Sequence, residues 1–231
     1  CSGDALAGTL NIVLRDGYEL DGGYVRAGTL YYKGDGEFEP SFGGVYGGAV
    51  GPGRILLGAN VQGRHNPKEK YSLRYGDSPE NDPDYRTNEF DNREDQRDER
   101  DGTDYSFNVD YQINEADYEF SIGGFLVYTD RLEDERSFEY DDPFAVTGPV
   151  TAGGNLLTDN QNVNGIEQTN YSISTRYARN WSMGETKVRL GFASFDDDQW
   201  EFEDEIDFED AVIEGEMAFL DIQDQELSFE V

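Results

Sequence analysis

The chain has 231 residues, with 18 Lys and Arg against 50 Asp and Glu, so its formal net charge is −32. This balance argues against a nucleic-acid-binding protein and against a membrane surface reached through a polybasic patch, because both need a basic face. No stretch approaches the roughly 20 apolar residues of a membrane-spanning helix, which excludes a helical membrane protein. Aromatic residues at 13% and 27 glycines favour short strands and tight turns.

The N-terminal segment, residues 1–20, has a pattern of its own. A stretch of small residues leads into a short strand of the type apolar-Asn-Ile-apolar, in which the characteristic positions are Ala7, Gly8, Asn11 and Ile12. The chain does not begin with Met, and its end, residues 227–231, alternates like a strand still in progress. We therefore expect a piece of a longer polypeptide.

Turn signals divide the following residues at a regular spacing. Tight turns are predicted at 51–53, 114–117 and 180–184, roughly 65 residues apart, each flanked by alternating apolar and polar residues. The alternation predicts about seven strands, with a possible eighth near the C-terminus. The first two, 22–33 and 38–50, are expected to form a hairpin.

Each predicted strand has one apolar and one polar face. The apolar residues expected on one face are Ile55, Leu57, Phe107, Val109, Ile122, Leu126, Ile173 and Leu190. The polar residues expected on the opposite face are Asn60, Gln62, Asn108, Asp110, Gln112 and Arg176. Such a pattern fits a barrel wall between lipid and a wet lumen, and it fits a soluble two-sheet domain with one buried face equally well.

The predicted connections differ between the two ends of the strands. Long polar loops are expected at 77–104, which holds 12 acids and 4 Arg, and at 141–165, whereas the opposite end has only tight turns. This asymmetry is typical of outer-membrane barrels. The aromatic residues near strand ends agree, because amphipathic rings suit a membrane interface. They are Tyr105, Tyr111, Tyr118, Tyr128 and Trp181.

The segment Ala7-Gly8-Thr9-Leu10-Asn11-Ile12-Val13, followed by the strand expected at 22–33, resembles the end of the plug domain in TonB-dependent outer-membrane receptors. The resemblance implies an all-β fold: a segment of about seven or eight strands of a larger antiparallel transmembrane β-barrel. Residues 1–20 would be the C-terminal end of the plug. Residues 21–231 would be the N-terminal part of the barrel with long acidic extracellular loops, and the eight apolar residues would face lipid.

The resemblance also implies a function, a location and partners. A receptor of this family lies in the outer membrane of a Gram-negative bacterium and takes up a scarce solute with energy supplied through TonB. Siderophores, cobalamin, haem and oligosaccharides are among its solutes. The implied partners are outer-membrane lipid, a small-molecule solute, and TonB through an N-terminal part that is not in this chain. Cofactors, nucleic acid and enzymatic activity are not expected.

The chemistry-bearing residues point to no catalytic or metal site. His65 is the only histidine, so neither a histidine-based metal site nor a Ser-His-Asp triad has enough residues, and we expect a surface position. The acidic runs 196–198 and 201–210 lack the spacing of a calcium loop and are interpreted as solvated charge, with calcium binding as the alternative.

Two other functional classes remain open at this point. One is a small surface lipoprotein or closed β-barrel that acts as a binding module, with lipid on Cys1. The other is a soluble acidic β-domain that binds calcium. Aromatic residues in or near the predicted loops either stack on a ligand or pack loop against loop, and packing is the favoured interpretation. These are Tyr85, Phe90, Phe138, Tyr140 and Phe144.

Overall fold

The structure, a computed structural model, describes residues 20–75, 90–144, 156–208 and 210–231. These residues form nine β-strands and no helix. The strands are β1 (Gly22–Tyr31), β2 (Phe38–Val50), β3 (Gly53–His65), β4 (Lys68–Tyr75), β5 (Phe90–Asn114), β6 (Tyr118–Tyr140), β7 (Leu156–Trp181), β8 (Gly184–Asp207) and β9 (Val212–Glu230). The predicted end of a plug, including Ala7, Gly8, Asn11 and Ile12, lies outside the described residues.

All nine strands belong to one antiparallel sheet, which confirms the predicted all-β antiparallel fold. The order is β1-β2-β3-β5-β6-β7-β8-β9, and β4 also pairs with β5. Strands β3 and β4 lie end to end along β5, since β3 pairs with residues 101–112 and β4 with residues 90–98. Within the described residues the sheet is open: β1 and β9 lie at the two ends of the strand order, and β4, which pairs only with β5, also has an unpaired edge.

The three predicted tight turns are confirmed. They join β2 to β3, β5 to β6 and β7 to β8, and all three lie at the same end of the sheet, which we call the turn end. The other end, here the loop end, carries the connection from β4 to β5, at positions 76–89, and the connection from β6 to β7, at positions 141–155. Both are much longer than the tight turns. The predicted difference between the two ends is therefore present.

The long loops are shorter than the sequence predicted, because strands occupy part of both. Residues 90–104 belong to β5 and residues 156–165 to β7, and β4 was not anticipated. Strands β5 to β8 are 25, 23, 26 and 24 residues long. The final strand, β9, corresponds to the possible eighth strand of the prediction.

Polar cross-strand pairs account for the missed strand regions. At the loop end, Arg74 of β4 forms ion pairs with Glu94 of β5 and with Glu139 of β6. On β7, Asp159 accepts two hydrogen bonds from Arg136 of the neighbouring strand. Opposite charges across strands stabilise a sheet by roughly 0.2–1 kcal/mol per pair. Because these regions are held by charged side chains, the apolar period of a strand is absent from their sequence.

The sheet is a single layer among the described residues. Few apolar side chains are buried, and those few lie along the strands and not between two packed sheets; they are Leu56, Phe138, Tyr140, Ile166 and Ala178. Many large apolar side chains remain exposed. The two-sheet packing of a soluble sandwich is therefore not formed by these residues.

Candidate functional site

The eight apolar residues selected from the sequence share one face of the sheet. The strand register places Leu57 opposite Val109, and Ile55 opposite Tyr111, which itself faces Ile122 of β6. The register continues these cross-strand rows over β7 and β8, so Ile173 on β7 and Leu190 on β8 lie on the same face as the other residues. None of the eight is buried, and five are exposed by 36% or more. We call this side of the sheet the apolar face.

Aromatic residues bound the apolar stretch at both ends. Towards the loop end, the rings of Tyr105 and Tyr128 lie side by side, with their centres 6.0 Å apart. Towards the turn end, the rings of Tyr118 and Tyr177 are 6.3 Å apart, and Trp181 is 54% exposed. On β5 the stretch runs from residue 105 to residue 113. We call this region the apolar band.

The opposite, polar face is concave. Residues from six strands, β1 to β3 and β5 to β7, line a single cavity of about 610 Å³ on this face. Such a cavity requires the sheet to curl, because a flat sheet would separate β1 from β7 by several strand spacings of about 4.8 Å. Its lining combines aromatic and aliphatic side chains with amides, hydroxyls and a carboxylate, and includes Tyr24, Leu56, Asn108, Asp110, Phe125 and Ser172.

Leu20 and Asp21, which directly precede β1, contact residues on this concave face. The carbonyl oxygen of Leu20 accepts a hydrogen bond of 3.1 Å from the Arg54 guanidinium, which also pairs with Asp21 at 3.2 Å. Leu20 lies so close to Gly47 that a Cβ atom at Gly47 would be 2.6 Å from its oxygen. Glycine is therefore required there. Sequence reasoning missed this contact, because Leu20 is far from Arg54 and Gly47 along the chain.

Acidic side chains cover the polar face beyond the cavity, towards the loop end. Glu203 of β8 lies directly opposite Glu216 of β9, and Glu205 lies opposite Glu214. The side-chain amide of Asn160 donates to Glu203 at 2.9 Å and to Glu205 at 3.3 Å. Among the described residues none of the four carboxylates forms an ion pair. This acidic wall repels anions approaching the concave face from the loop end.

The prediction that His65 is a surface residue was wrong. Its side chain is 7% exposed and lies between two carboxylates, with Nε2 2.5 Å from Asp35 and Nδ1 in contact with Asp101. The edge of the Tyr32 ring packs against the imidazole with the ring centres 5.0 Å apart. Hydrogen bonds with Asp35 and Asp101 raise the pKa of His65 to about 9, although burial opposes this. His65 is therefore a cation at neutral pH.

A second buried cation stabilises the loop end of the sheet. Arg93 of β5 lies between the rings of Tyr71 and Tyr140, 5.3 and 4.8 Å from their centres, and pairs with Asp95. The contact with Asp95 raises the pKa of Arg93 further. Tyr140 is only 1% exposed. The expectation that aromatic residues here pack rather than stack on a ligand is confirmed for Tyr140, and for Phe138, which is 9% exposed.

The other aromatic residues that the sequence placed in or near the loops differ in their surroundings. The ring of Phe90 packs edge-on against Tyr75, with the centres 5.9 Å apart, so Phe90 also packs within the sheet. Phe144 is 90% exposed. Tyr85 lies outside the described residues. The described members of this group therefore do not converge on one surface.

Two further features bear on the alternatives: groups of metal ligands and membrane-spanning helices. No three His, Cys, Asp or Glu side chains in the described parts of the chain are arranged to hold a metal ion, so the calcium alternative has no candidate site there. The same residues contain no helix with the length and apolarity needed to cross a membrane.

No protein-family model and no curated protein matches this chain.

Proposed function

We propose that this chain forms part of the barrel wall of a TonB-dependent receptor in the outer membrane of a Gram-negative bacterium. The observation that carries the proposal is the apolar band: a one-layer sheet exposes large apolar side chains between two rows of aromatic residues. Exposed apolar patches of this extent mark contact with a membrane or a protein. The length of the band on β5, from 105 to 113, matches the roughly 9–11 residues of a tilted membrane-spanning strand.

The polar, concave face fits the lumen of such a barrel. Outer-membrane strands alternate apolar residues towards lipid with polar residues towards the interior. Here Phe107 and Asn108 are neighbours on β5: Phe107 is 45% exposed on the apolar face, and Asn108 lines the cavity on the concave side. The acidic wall beyond the cavity favours neutral or cationic solutes over anions.

The course of the chain before β1 supports the plug part of the proposal. Leu20 and Asp21 lie against Arg54 on the concave face, so the chain enters the first strand from the inner side. A connection from a plug inside the barrel to the first strand would take this course. The proposal therefore assigns residues 1–20 to the end of a plug, and contact with TonB to a part of the receptor outside this chain.

The proposal requires further strands beside β1 and β9. Lipid offers no hydrogen-bond partners, so a sheet edge open to lipid is too costly to persist. These two edges must therefore pair with other strands in the membrane. We infer that the receptor closes its barrel with strands beyond those described here, and that the chain acts only within that barrel.

Chemical labelling of single cysteines tests whether the apolar face lies against lipid. In a Cys1→Ser background, Phe107→Cys should react with a lipid-soluble maleimide and be protected from a water-soluble one in native outer membranes, since Phe107 is 45% exposed on the apolar face. Asn108→Cys is the matched control, because it is the adjacent residue on the opposite face; it should react with the water-soluble reagent. Equal reaction of both positions with the water-soluble reagent would contradict the proposal and favour the soluble acidic domain.

Solute uptake tests the transport part. Cells with and without the protein, each with and without TonB, are given labelled ferric siderophores, cobalamin, haem and oligosaccharides. A solute whose uptake needs both the protein and TonB supports the proposal. Uptake that needs the protein but is unchanged without TonB would instead support a closed β-barrel binding module or passive channel.

A further inference from the structure

The tip of the β1–β2 hairpin projects beyond the region in which β2 pairs with β3. The β2–β3 pairing ends at Ser41 and Gln62, so residues 31–40 continue without a ladder to β3. Pro40 lies at this point, and it has no N–H to donate. The tip is a compact turn in which Tyr32 and Glu37 are joined by a backbone hydrogen bond of 2.9 Å. Its attachment to the sheet therefore depends on side chains.

His65 provides that attachment. It lies at the end of β3, beyond the last β2–β3 pair, and Nε2 contacts Oδ2 of Asp35 in the hairpin turn at 2.5 Å. The other oxygen of Asp35 accepts the Glu37 N–H at 3.2 Å, so this carboxylate is fixed to the turn backbone. Nδ1 contacts Asp101, the residue of β5 directly opposite His65. One imidazole therefore joins three elements.

We propose that the His65 imidazolium is a latch that holds the tip of the β1–β2 hairpin against β3 and β5, and that loss of its proton releases the tip. Only the protonated ring can donate to two carboxylates at once, because a neutral imidazole has one N–H. The neutral ring would face at least one carboxylate with a lone pair. The latch is independent of the proposed receptor function.

The charged neighbours of His65 determine when the latch opens. Asp35 from the hairpin, Asp101 from β5 and the Tyr32 phenol face the ring. The adjacent arginines are engaged elsewhere: Arg64 with Asp104, and Arg100 with Asp98 and Glu133. The ring is therefore surrounded by acceptors, and its contacts raise the pKa of His65 to about 9.

The sign of the pH effect follows from this shift. A group whose pKa is higher in the folded state contributes its full stabilisation below the unfolded value of 6.5, and loses it as the pH rises through about 9. At low pH the latch persists until Asp35 is protonated. Because the hydrogen bond with His65 lowers the pKa of Asp35 below 3.8, this happens only in strong acid. The latch is thus closed at neutral pH and opens under alkaline conditions.

A spin label on the hairpin tip tests the latch. In the full chain carrying Cys1→Ser, a nitroxide is attached at Lys33→Cys, an exposed turn position, and its mobility is recorded from pH 6 to pH 10. We expect the ratio of mobile to immobile label to rise by about two orders of magnitude, in a single step that begins above pH 6.5 and levels off near pH 9. The control label is at Met183→Cys, which is 97% exposed in a turn at the other end of the sheet, and should show no step.

Two further variants separate the latch from a general loss of structure. His65→Gln should give a mobile tip at every pH and no step. Asp101→Asn removes one of the two carboxylates, so the step should remain but move to lower pH; this variant also serves if His65→Gln does not fold. A wild-type tip with constant mobility, a step that persists in His65→Gln, or an unmoved midpoint in Asp101→Asn would overturn the proposal.

Discussion

The indole of Trp200 lies directly over Gly165, its cross-strand partner on β7. A Cβ atom built at Gly165 would be 2.1 Å from the indole nitrogen and 2.3 Å from the adjacent ring carbon. The ring therefore occupies the space that any side chain at Gly165 would need. Aromatic cover of a strand glycine compensates for the missing side chain and fixes the register of the two strands.

The first prediction concerns this pair. Gly165→Ala should displace the Trp200 ring and reduce the free energy of unfolding by about 1–3 kcal/mol, the usual cost of overpacking. Fluorescence of Trp200 in a Trp181→Phe background reports the displacement, and denaturant unfolding reports the stability. The control is Gly28→Ala, since no heavy atom lies within 4 Å of a Cβ at Gly28. An unshifted Trp200 spectrum in Gly165→Ala would contradict the packing.

The second prediction concerns the apolar band. Leu57→Arg and Ile122→Arg should each destabilise the membrane-inserted protein by about 2–4 kcal/mol, the cost of an arginine at the middle of the bilayer on the lipid side of a barrel. Ser121→Arg is the matched control, because Ser121 precedes Ile122 on the same strand and lies on the polar face. Unfolding in lipid vesicles measures the difference. Equal costs for Ile122→Arg and Ser121→Arg would refute the assignment of faces.

The third prediction concerns the buried cation at the loop end. Arg93→Met removes the charge beside Asp95, which is 9% exposed, and should cost about 3–5 kcal/mol of unfolding free energy. The double variant Arg93→Met, Asp95→Leu removes both charges and should recover much of that loss. Denaturant unfolding of the two variants and the wild type is the measurement. A double variant less stable than Arg93→Met would show that the pair is not the source of the penalty.

The fourth prediction concerns the acidic wall. Glu216→Lys should stabilise the sheet by about 0.2–1 kcal/mol, because it replaces a like-charge pair with Glu203 by an opposite-charge pair across β8 and β9. Glu226→Lys on the same face of β9 is the control, since its cross-strand partner is Ala193. The advantage of Glu216→Lys over Glu226→Lys should shrink in about 1 M salt, where charges are screened. An equal gain from both would indicate only the reduction in net charge.

The turn-end half of the sheet could be predicted well from the sequence, for a physical reason. Residues such as Val109 and Ile122 alternate with polar neighbours, so the period of two is visible without any knowledge of their partners. At the loop end, Arg93 and Asp95 lie on one face of β5, but both are charged. Their burial depends on Tyr71 and Tyr140, which the register brings together from β4 and β6.

The candidate site, too, could be predicted from the sequence only in part. The eight residues of the apolar face follow from local alternation, and the register places them on one face. The surroundings of His65 do not follow, because Asp35 and Asp101 are distant from it along the chain. Likewise, the contact of Leu20 with Arg54 joins separate segments. Such contacts depend on which strands pair and in which register, and a single sequence contains no direct signal for either.

The length of the strands beyond the apolar band has a mechanical consequence. Positions 91–104 extend β5 past the tyrosine row, and β6 to β8 accompany it. At about 3.4 Å per residue and a tilt near 45°, this extension corresponds to about 35 Å of height. In the proposed orientation, the wall forms a stiff collar above the lipid headgroups. A solute would meet this collar well outside the bilayer, and the bending stiffness of hydrogen-bonded strands would keep the entrance open without any ligand.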